Sequence, residues 1–267
     1  LSMKSDLKQF SGLEVHWATS EDMSAVETES VQSVVTSPPY WDLKDYGHDD
    51  QIGREDQSYD EYHDRMSEVW SECYDALRPD GTMWVVVDTV MDRGDLTLLP
   101  YHIAERCEEI GFYLQDMIVW HKPTAIAGMT ERNVVNKKEY IVYLSKQKDH
   151  LFHDEEEREN GKEDPAINGD GRMGNLWRYP VKRGTAGQNV LHKAPYPSSL
   201  INRIVKLSTD RGDTVLDPFL GSGTTAYSAL SLDRRCIGYE LNADFEEVIA
   251  DRLSGLQQRS LAEFSGD

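Results

Sequence analysis

Ser37-Pro38-Pro39-Tyr40 has the makings of a rigid hydrogen-bonding site beside an aromatic ring. Proline lacks a backbone N–H and fixes φ near −65°, so the pair stiffens the chain and removes competing donors. The Ser37 side chain and the Ser37 or Pro38 carbonyl are left as hydrogen-bond acceptors, with the Tyr40 ring beside them. Far along the chain, Leu216-Asp217-Pro218-Phe219-Leu220-Gly221-Ser222-Gly223-Thr224-Thr225 offers a second chemistry. Its glycines let the backbone approach a ligand without Cβ interference, where a strand turns into a helix. A phosphate-binding P-loop is disfavoured, because Gly223 is followed by Thr224 and Thr225 rather than by Lys and Ser or Thr. Glu240 ends the next strand, where a carboxylate can accept hydrogen bonds from both hydroxyls of a ribose. Taken singly, the first run also reads as a proline turn with an aromatic plug, and the second as a plain tight turn.

The elements that position these loops follow from periodicity. Residues Gln32 to Thr36 read as a strand that the prolines end, because proline donates nothing to a ladder. Tyr59 to Leu77 has apolar residues at helical spacing and stops at Arg78-Pro79-Asp80-Gly81. Strands are expected over Met83–Asp88, Phe112–Trp120, Tyr140–Leu144, Thr214–Asp217 and Cys236–Glu240. Helices are expected over Leu96–Ile110, Ser198–Leu207, Thr224–Leu232 and Ala243–Leu256. This alternation predicts an α/β fold whose mainly parallel sheet has helices on both faces. Residues 145–188 are charged, rich in Gly and Asn and weakly periodic, which predicts a small loop-rich insert between segments 1–144 and 189–267 of one domain.

The two loops, in this order, resemble the paired signatures of β-class DNA amino-methyltransferases, and the resemblance runs from about Val15 to about Ala250. It implies a Rossmann-like methyltransferase fold with S-adenosyl-L-methionine as cofactor, in which 1–144 and 189–267 are the catalytic segments and the insert 145–188 is expected to recognise the target. The implied cofactor residues are Asp217, Phe219, Gly221, Gly223, Thr224, Thr225 and Glu240, with His192 of the run His192-Lys193-Ala194-Pro195-Tyr196-Pro197 on the cofactor side. Ser37, Pro38 and Pro39 would hold the exocyclic amine of a base flipped out of the duplex, with Tyr40 stacked on it. Methyl transfer would be direct, without a covalent enzyme intermediate. Serine at the first motif position is commoner in relatives that make N4-methylcytosine, so N4 of cytosine is the expected target and N6 of adenine the alternative. A DNA-recognition module that binds the cofactor without turnover is an alternative of a different class. Trp120-His121-Lys122-Pro123 resembles a W-x-K-P segment near the base pocket, with Trp120 read as core; Asp88 reads equally as a site residue or a strand-end cap. The chain departs from the family at Ala18-Thr19-Ser20, where many relatives carry Gly-Asp-Ser. Glu21 and Asp22 are the nearest carboxylates that could replace the missing one, and the adenine pocket is left unassigned.

Composition sets the remaining expectations. With 28 Lys and Arg against 48 Asp and Glu, the net charge is −20, which repels a phosphate backbone, so binding to double-stranded DNA requires a local basic surface. Residues 172–193 carry Arg172, Arg178, Lys182, Arg183 and Lys193 and no acidic residue. Together with Trp177, Lys137 and Lys138, the first four of these are the candidate DNA contacts. The general carboxylate surplus points to adaptation to high salt. A cognate restriction endonuclease and a second copy of the chain, as a homodimer, are further candidate partners. Three dispersed cysteines and eight scattered histidines without ligand spacing predict no metal. No apolar run approaches membrane length, and a cytoplasmic protein is expected.

Overall fold

The structure is a computed structural model that describes residues 7–41, 48–54, 56–92, 94–123, 134–154, 173–180 and 196–264. In chain order the strands are β1 (Leu13–His16), β2 (Val31–Thr36), β3 (Leu77–Val87), β4 (Val90–Asp92), β5 (Asp95–Thr97), β6 (Tyr113–His121), β7 (Lys138–Ser145), β8 (Leu176–Arg178), β9 (Thr214–Asp217) and β10 (Arg235–Tyr239). The helices are α1 (Tyr59–Ala76), α2 (Leu99–Ile110), α3 (Ser198–Ser208), α4 (Thr224–Ser231) and α5 (Phe245–Phe264). Among the described residues, eight strands form one sheet in the order β1-β10-β9-β2-β3-β7-β6-β8. The pairs from β1 through to β3 are parallel, β7 runs antiparallel to both its neighbours, and β8 is parallel to β6. The expected α/β fold, a mainly parallel sheet between helices, is what the chain adopts.

Each face of the sheet has its own core. α1 and α2 pack Tyr62, Met66, Trp70, Leu99 and Ile103 on one face, and α3, α4 and α5 pack Leu200, Ile204, Ala226 and Ile249 on the other. A capping box starts α1: the Ser58 side chain accepts from the Glu61 N–H, and the Glu61 carboxylate accepts from the Ser58 N–H.

Three expectations are corrected. The α2 helix begins at Leu99, not Leu96, because Pro100 is tolerated only in a first turn and Leu96 is taken by the β4–β5 hairpin. Arg78-Pro79-Asp80-Gly81 ends α1 as expected but already lies inside β3, whose pairing with β2 shifts register between Val31 and Ser33. The stretch read as a loop-rich insert rather than a core element contributes β8, which pairs with β6 at Trp120↔Trp177. Three residues are too short a strand to reveal any period. Its first part also docks on the core, since the Leu151 N–H donates to the Asp80 carbonyl at 3.0 Å and the His153 N–H to the Leu207 carbonyl at 2.8 Å.

His63 on α1 is 3% exposed, and neither ring nitrogen has a hydrogen-bond partner among the described residues. Burial, helped by His102 and Arg106, pushes its pKa down to about 4. The unfolded chain therefore takes up a proton near pH 6.5 that the folded chain refuses until about pH 4, so stability falls as pH drops through that window. From this residue alone, folding should be about 2 kcal/mol weaker at pH 5 than at pH 7. His63→Phe should remove that difference in urea unfolding at the two pH values.

All three cysteines are free and buried, and no cluster of His, Cys, Asp or Glu among the described residues could hold a metal. No helix among them is long and apolar enough to cross a membrane.

Candidate active site

β2 and β9 are parallel neighbours, with Ser33 opposite Val215 and Val34 opposite Leu216, so the proline loop and the glycine loop leave the sheet along one edge. Buried polar groups join them. The Thr36 hydroxyl donates to Asp217 Oδ1 at 2.6 Å, and the same oxygen accepts the Phe219 N–H at 3.0 Å. The Tyr196 hydroxyl reaches Asp217 Oδ2 at 3.4 Å and Thr225 Oγ1 at 2.8 Å, while Thr225 donates to the Val35 carbonyl at 3.3 Å. Burial raises the Asp217 carboxyl's pKa, and the bond from Thr36 is the largest opposing effect. Asp217 and Thr225 thus lock the two loops together from behind the cavity wall, and Thr224, buried at the start of α4, is likewise absent from the lining. Gly223 also supports from behind: its φ is +75°, and a Cβ there would come within 3.2 Å of Ile249 on α5.

The cavity at these loops is lined by Ser37, Pro38, Pro39 and Tyr40 from the first and by Pro218, Phe219 and Gly221 from the second, together with Glu240. Gly221 has φ +49°, and its N–H donates to Glu240 Oε2 at 2.8 Å; the Asn242 N–H donates to Oε1 at 2.9 Å. Burial pushes the Glu240 carboxyl's pKa up despite these donors. A half-buried carboxylate beside a glycine cradle, next to Phe219, Tyr239, Leu241 and Phe245, suits a nucleoside with its ribose at Glu240.

Sequence reasoning did not name Tyr239, Leu241, Asn242 or Phe245, although all lie within five positions of Glu240 and its assignment could have drawn them in. Ala18, Thr19 and Ser20 do line the cavity. Glu21 does not stand in for the missing carboxylate. It makes a bidentate pair with Arg65, at 2.6 Å to both nitrogens, and accepts from the Thr19 hydroxyl. Asp22 is exposed and accepts from the Ser24 N–H.

On the other side, the Tyr62 hydroxyl donates to the Pro39 carbonyl at 2.9 Å and pins the proline pair to α1. Gly53, at φ +85°, packs so closely that a Cβ would lie 2.8 Å from the Tyr40 carbonyl oxygen. Backbone would have to yield, so Gly53→Ala should displace Tyr40 and lower turnover roughly tenfold. Cofactor affinity should stay within twofold, as equilibrium titration would show.

Trp120 is 2% exposed and donates its indole N–H to the Tyr179 carbonyl at 2.9 Å; it is core, and one edge closes the cavity. Asp88 caps its strand end by accepting from the Thr89 N–H, Asn136 and Lys138, at 2.8, 2.6 and 2.8 Å. Glu139, which the sequence reading passed over, also lines the cavity.

The candidate DNA contacts divide. Arg178 and Lys137 are exposed. Lys138 is held by Asp88 and the Thr89 hydroxyl, so it is part of a local charge cluster rather than a free phosphate contact. Trp177 is a correction: it is 2% exposed, stacks near Trp84 and donates its indole N–H to the Gly174 carbonyl, because alternation along β8 turns it into the core while Arg178 faces out. Arg172, Lys182, Arg183 and His192 lie outside the described residues.

Comparisons with known proteins agree with this architecture. The Type II methyltransferase M.Cfr9I of Citrobacter freundii is 32% identical over 255 residues, covering 85% of this chain and 82% of its own. A Thermus thermophilus protein described as a DNA modification methylase, solved with S-adenosyl-L-methionine, is 28% identical with a TM-score of 0.65 over 90% of this chain and 93% of its own. The PvuII DNA methyltransferase, described as cytosine-N4-specific, shares the fold at 20% identity, with a TM-score of 0.74 over 91% of this chain and 86% of its own. The N6/N4 DNA methylase family matches residues 31–251, nearly the whole described sheet and both loops, and the chain belongs to that family.

Proposed function

We propose that this DNA amino-methyltransferase methylates the exocyclic N4 of a cytosine flipped out of double-stranded DNA. The observation that carries the reading is the cavity shared by Ser37-Pro38-Pro39-Tyr40 and the Gly221–Glu240 wall. S-adenosyl-L-methionine is the methyl donor and supplies an electrophilic methyl group on its sulfonium. Glu240 accepts from the ribose hydroxyls, Gly221 allows close approach, and Phe219 and Tyr239 exclude water. At the proline loop, the lone pair of a ring-conjugated amine is delocalised and a poor nucleophile. Acceptors at Ser37 and Pro38 draw its protons out of the ring plane and return the lone pair to nitrogen. A serine rather than an aspartate at the first motif position favours cytosine.

Incubating the chain with duplex DNA and tritiated cofactor, then analysing the hydrolysed nucleosides by mass spectrometry, should yield N4-methylcytosine. N6-methyladenine instead would reassign the base, and no incorporation would leave a binding module. Arg178 and Lys137 are the described candidates for phosphate contact. Arg178→Ala should weaken DNA binding and reduce the slope of log affinity against log salt by about one, seen by fluorescence anisotropy across a salt series.

A further inference from the structure

The proposed reaction, on which this inference rests, leaves one proton without a destination. An amine that gains a methyl group becomes cationic and must lose a proton before the product leaves. The Ser37 hydroxyl and the proline carbonyls accept hydrogen bonds but are too weakly basic to take a proton near neutral pH. Among the described residues lining the cavity, only Glu139 and Glu240 carry carboxylates. Glu240 accepts backbone N–H groups through both oxygens and stands beside the glycine turn.

Glu139 stands elsewhere. It lies in β7, which is separated from β2 by β3 alone, so the two strands run roughly 10 Å apart, a gap that a base ring and a short side chain can span. Its partner across the β6–β7 ladder is Trp120, also in the cavity wall. The Glu139 side chain is 19% exposed and accepts from Lys122 Nζ at 2.7 Å. Lys122 is also 3.8 Å from Asp88, which is paired with Lys138 at 2.8 Å, so cations and carboxylates alternate through a compact cluster. His48 is the remaining imidazole in the wall; it is 37% exposed, and its Nδ1 accepts from the Asp50 N–H.

We propose that Glu139 is the catalytic residue that accepts the proton released by the target amine, and that Lys122 is its positioning residue. The amine lone pair forms the new N–C bond as the S–C bond breaks toward sulfur. One proton then passes from the cationic nitrogen to a Glu139 carboxylate oxygen, and the neutral carboxyl returns it to solvent once the product base leaves. Burial raises the Glu139 carboxyl's pKa and Asp88 adds to the rise, whereas Lys122 and Lys138 oppose it. This makes it a better proton acceptor than an exposed glutamate.

The test uses the full chain and duplex DNA. In single turnovers, the wild-type rate should fall on the acid side as Glu139 protonates. Glu139→Gln should slow transfer about 100-fold at neutral pH and abolish that limb, with cofactor affinity within twofold. Lys122→Met should move the limb to higher pH. Infrared difference spectra of the cofactor-free protein should show a protonated-carboxyl band that Glu139→Gln removes and Lys122→Met shifts in the same direction. A Glu139→Gln enzyme with the wild-type rate and acid limb would overturn the assignment. So would lost cofactor affinity or early melting that Glu139→Asp fails to repair, which would mark a structural role. If the wild type itself transfers no methyl group, the proposed function fails first and takes this step with it; the infrared titration tells the two failures apart.

Discussion

Ser37→Ala is expected to lower kcat by about 100- to 1000-fold, the range seen when one preorganised polar partner is removed from an active site. The dissociation constant for S-adenosyl-L-methionine should stay within twofold. The asymmetry follows from the loops: Ser37 follows β2 with Pro38, Pro39 and Tyr40, whereas Gly221 and Glu240 follow β9 and β10 in the same cavity lining. Truncating the hydroxyl leaves the backbone in place, because Tyr62 holds Pro39 and Thr36 holds Asp217 independently of it. On the proposed mechanism what disappears is an acceptor needed when the amine pyramidalises, so the loss should fall on the transition state rather than on ground-state binding. Tritiated methyl transfer at saturating DNA and cofactor reports kcat, and calorimetric titration reports affinity. Equal and small changes in both would remove Ser37 from the chemistry.

Much of this was legible in the sequence because the two loops are local signals. Proline and glycine act on their own backbone, so the ends of β2 and β9 could be read without knowing what lay beside them. That the two ends adjoin could not be read, since the contact from Thr36 to Asp217 joins residues 181 positions apart. The same limit hid the supporting roles. Asp217 and Thr225 belong to the specific run that marks the site, yet they act by holding Val35, Thr36 and Tyr196 from behind.

Glu139 was missed for a related reason. In Lys137-Lys138-Glu139-Tyr140 it looks like part of a solvated charge run, and only the partnership of Lys138 with Asp88, 50 residues away, and of Glu139 with Lys122 reveals a half-buried cluster. Trp177 erred in the opposite direction. Basic neighbours suggested a nucleic-acid surface, but a strand of three residues suffices to alternate sides and bury one large ring.

Gly221→Val should be the counterpart of Ser37→Ala, with a loss in binding rather than in turnover. At φ +49° the backbone is left-handed, where a β-branched residue costs about 1–2 kcal/mol of strain. The added methyl groups would also enter the cavity wall where the cradle must admit a ligand. Relaxing the strain by moving the loop would break the Gly221 N–H bond to Glu240 Oε2, leaving a half-buried carboxylate short of one donor. Cofactor affinity should fall roughly 100-fold, equivalent to about 2.7 kcal/mol. Glu240→Gln separates the two contributions. It keeps the glycine but presents an amide nitrogen to one of two backbone N–H groups, so it should weaken binding by roughly tenfold without the strain. Calorimetry on both variants, with folding checked by thermal melting, gives the comparison. A Gly221→Val chain that is fully folded and binds the cofactor normally would show that the glycine turn serves the packing of α4 alone.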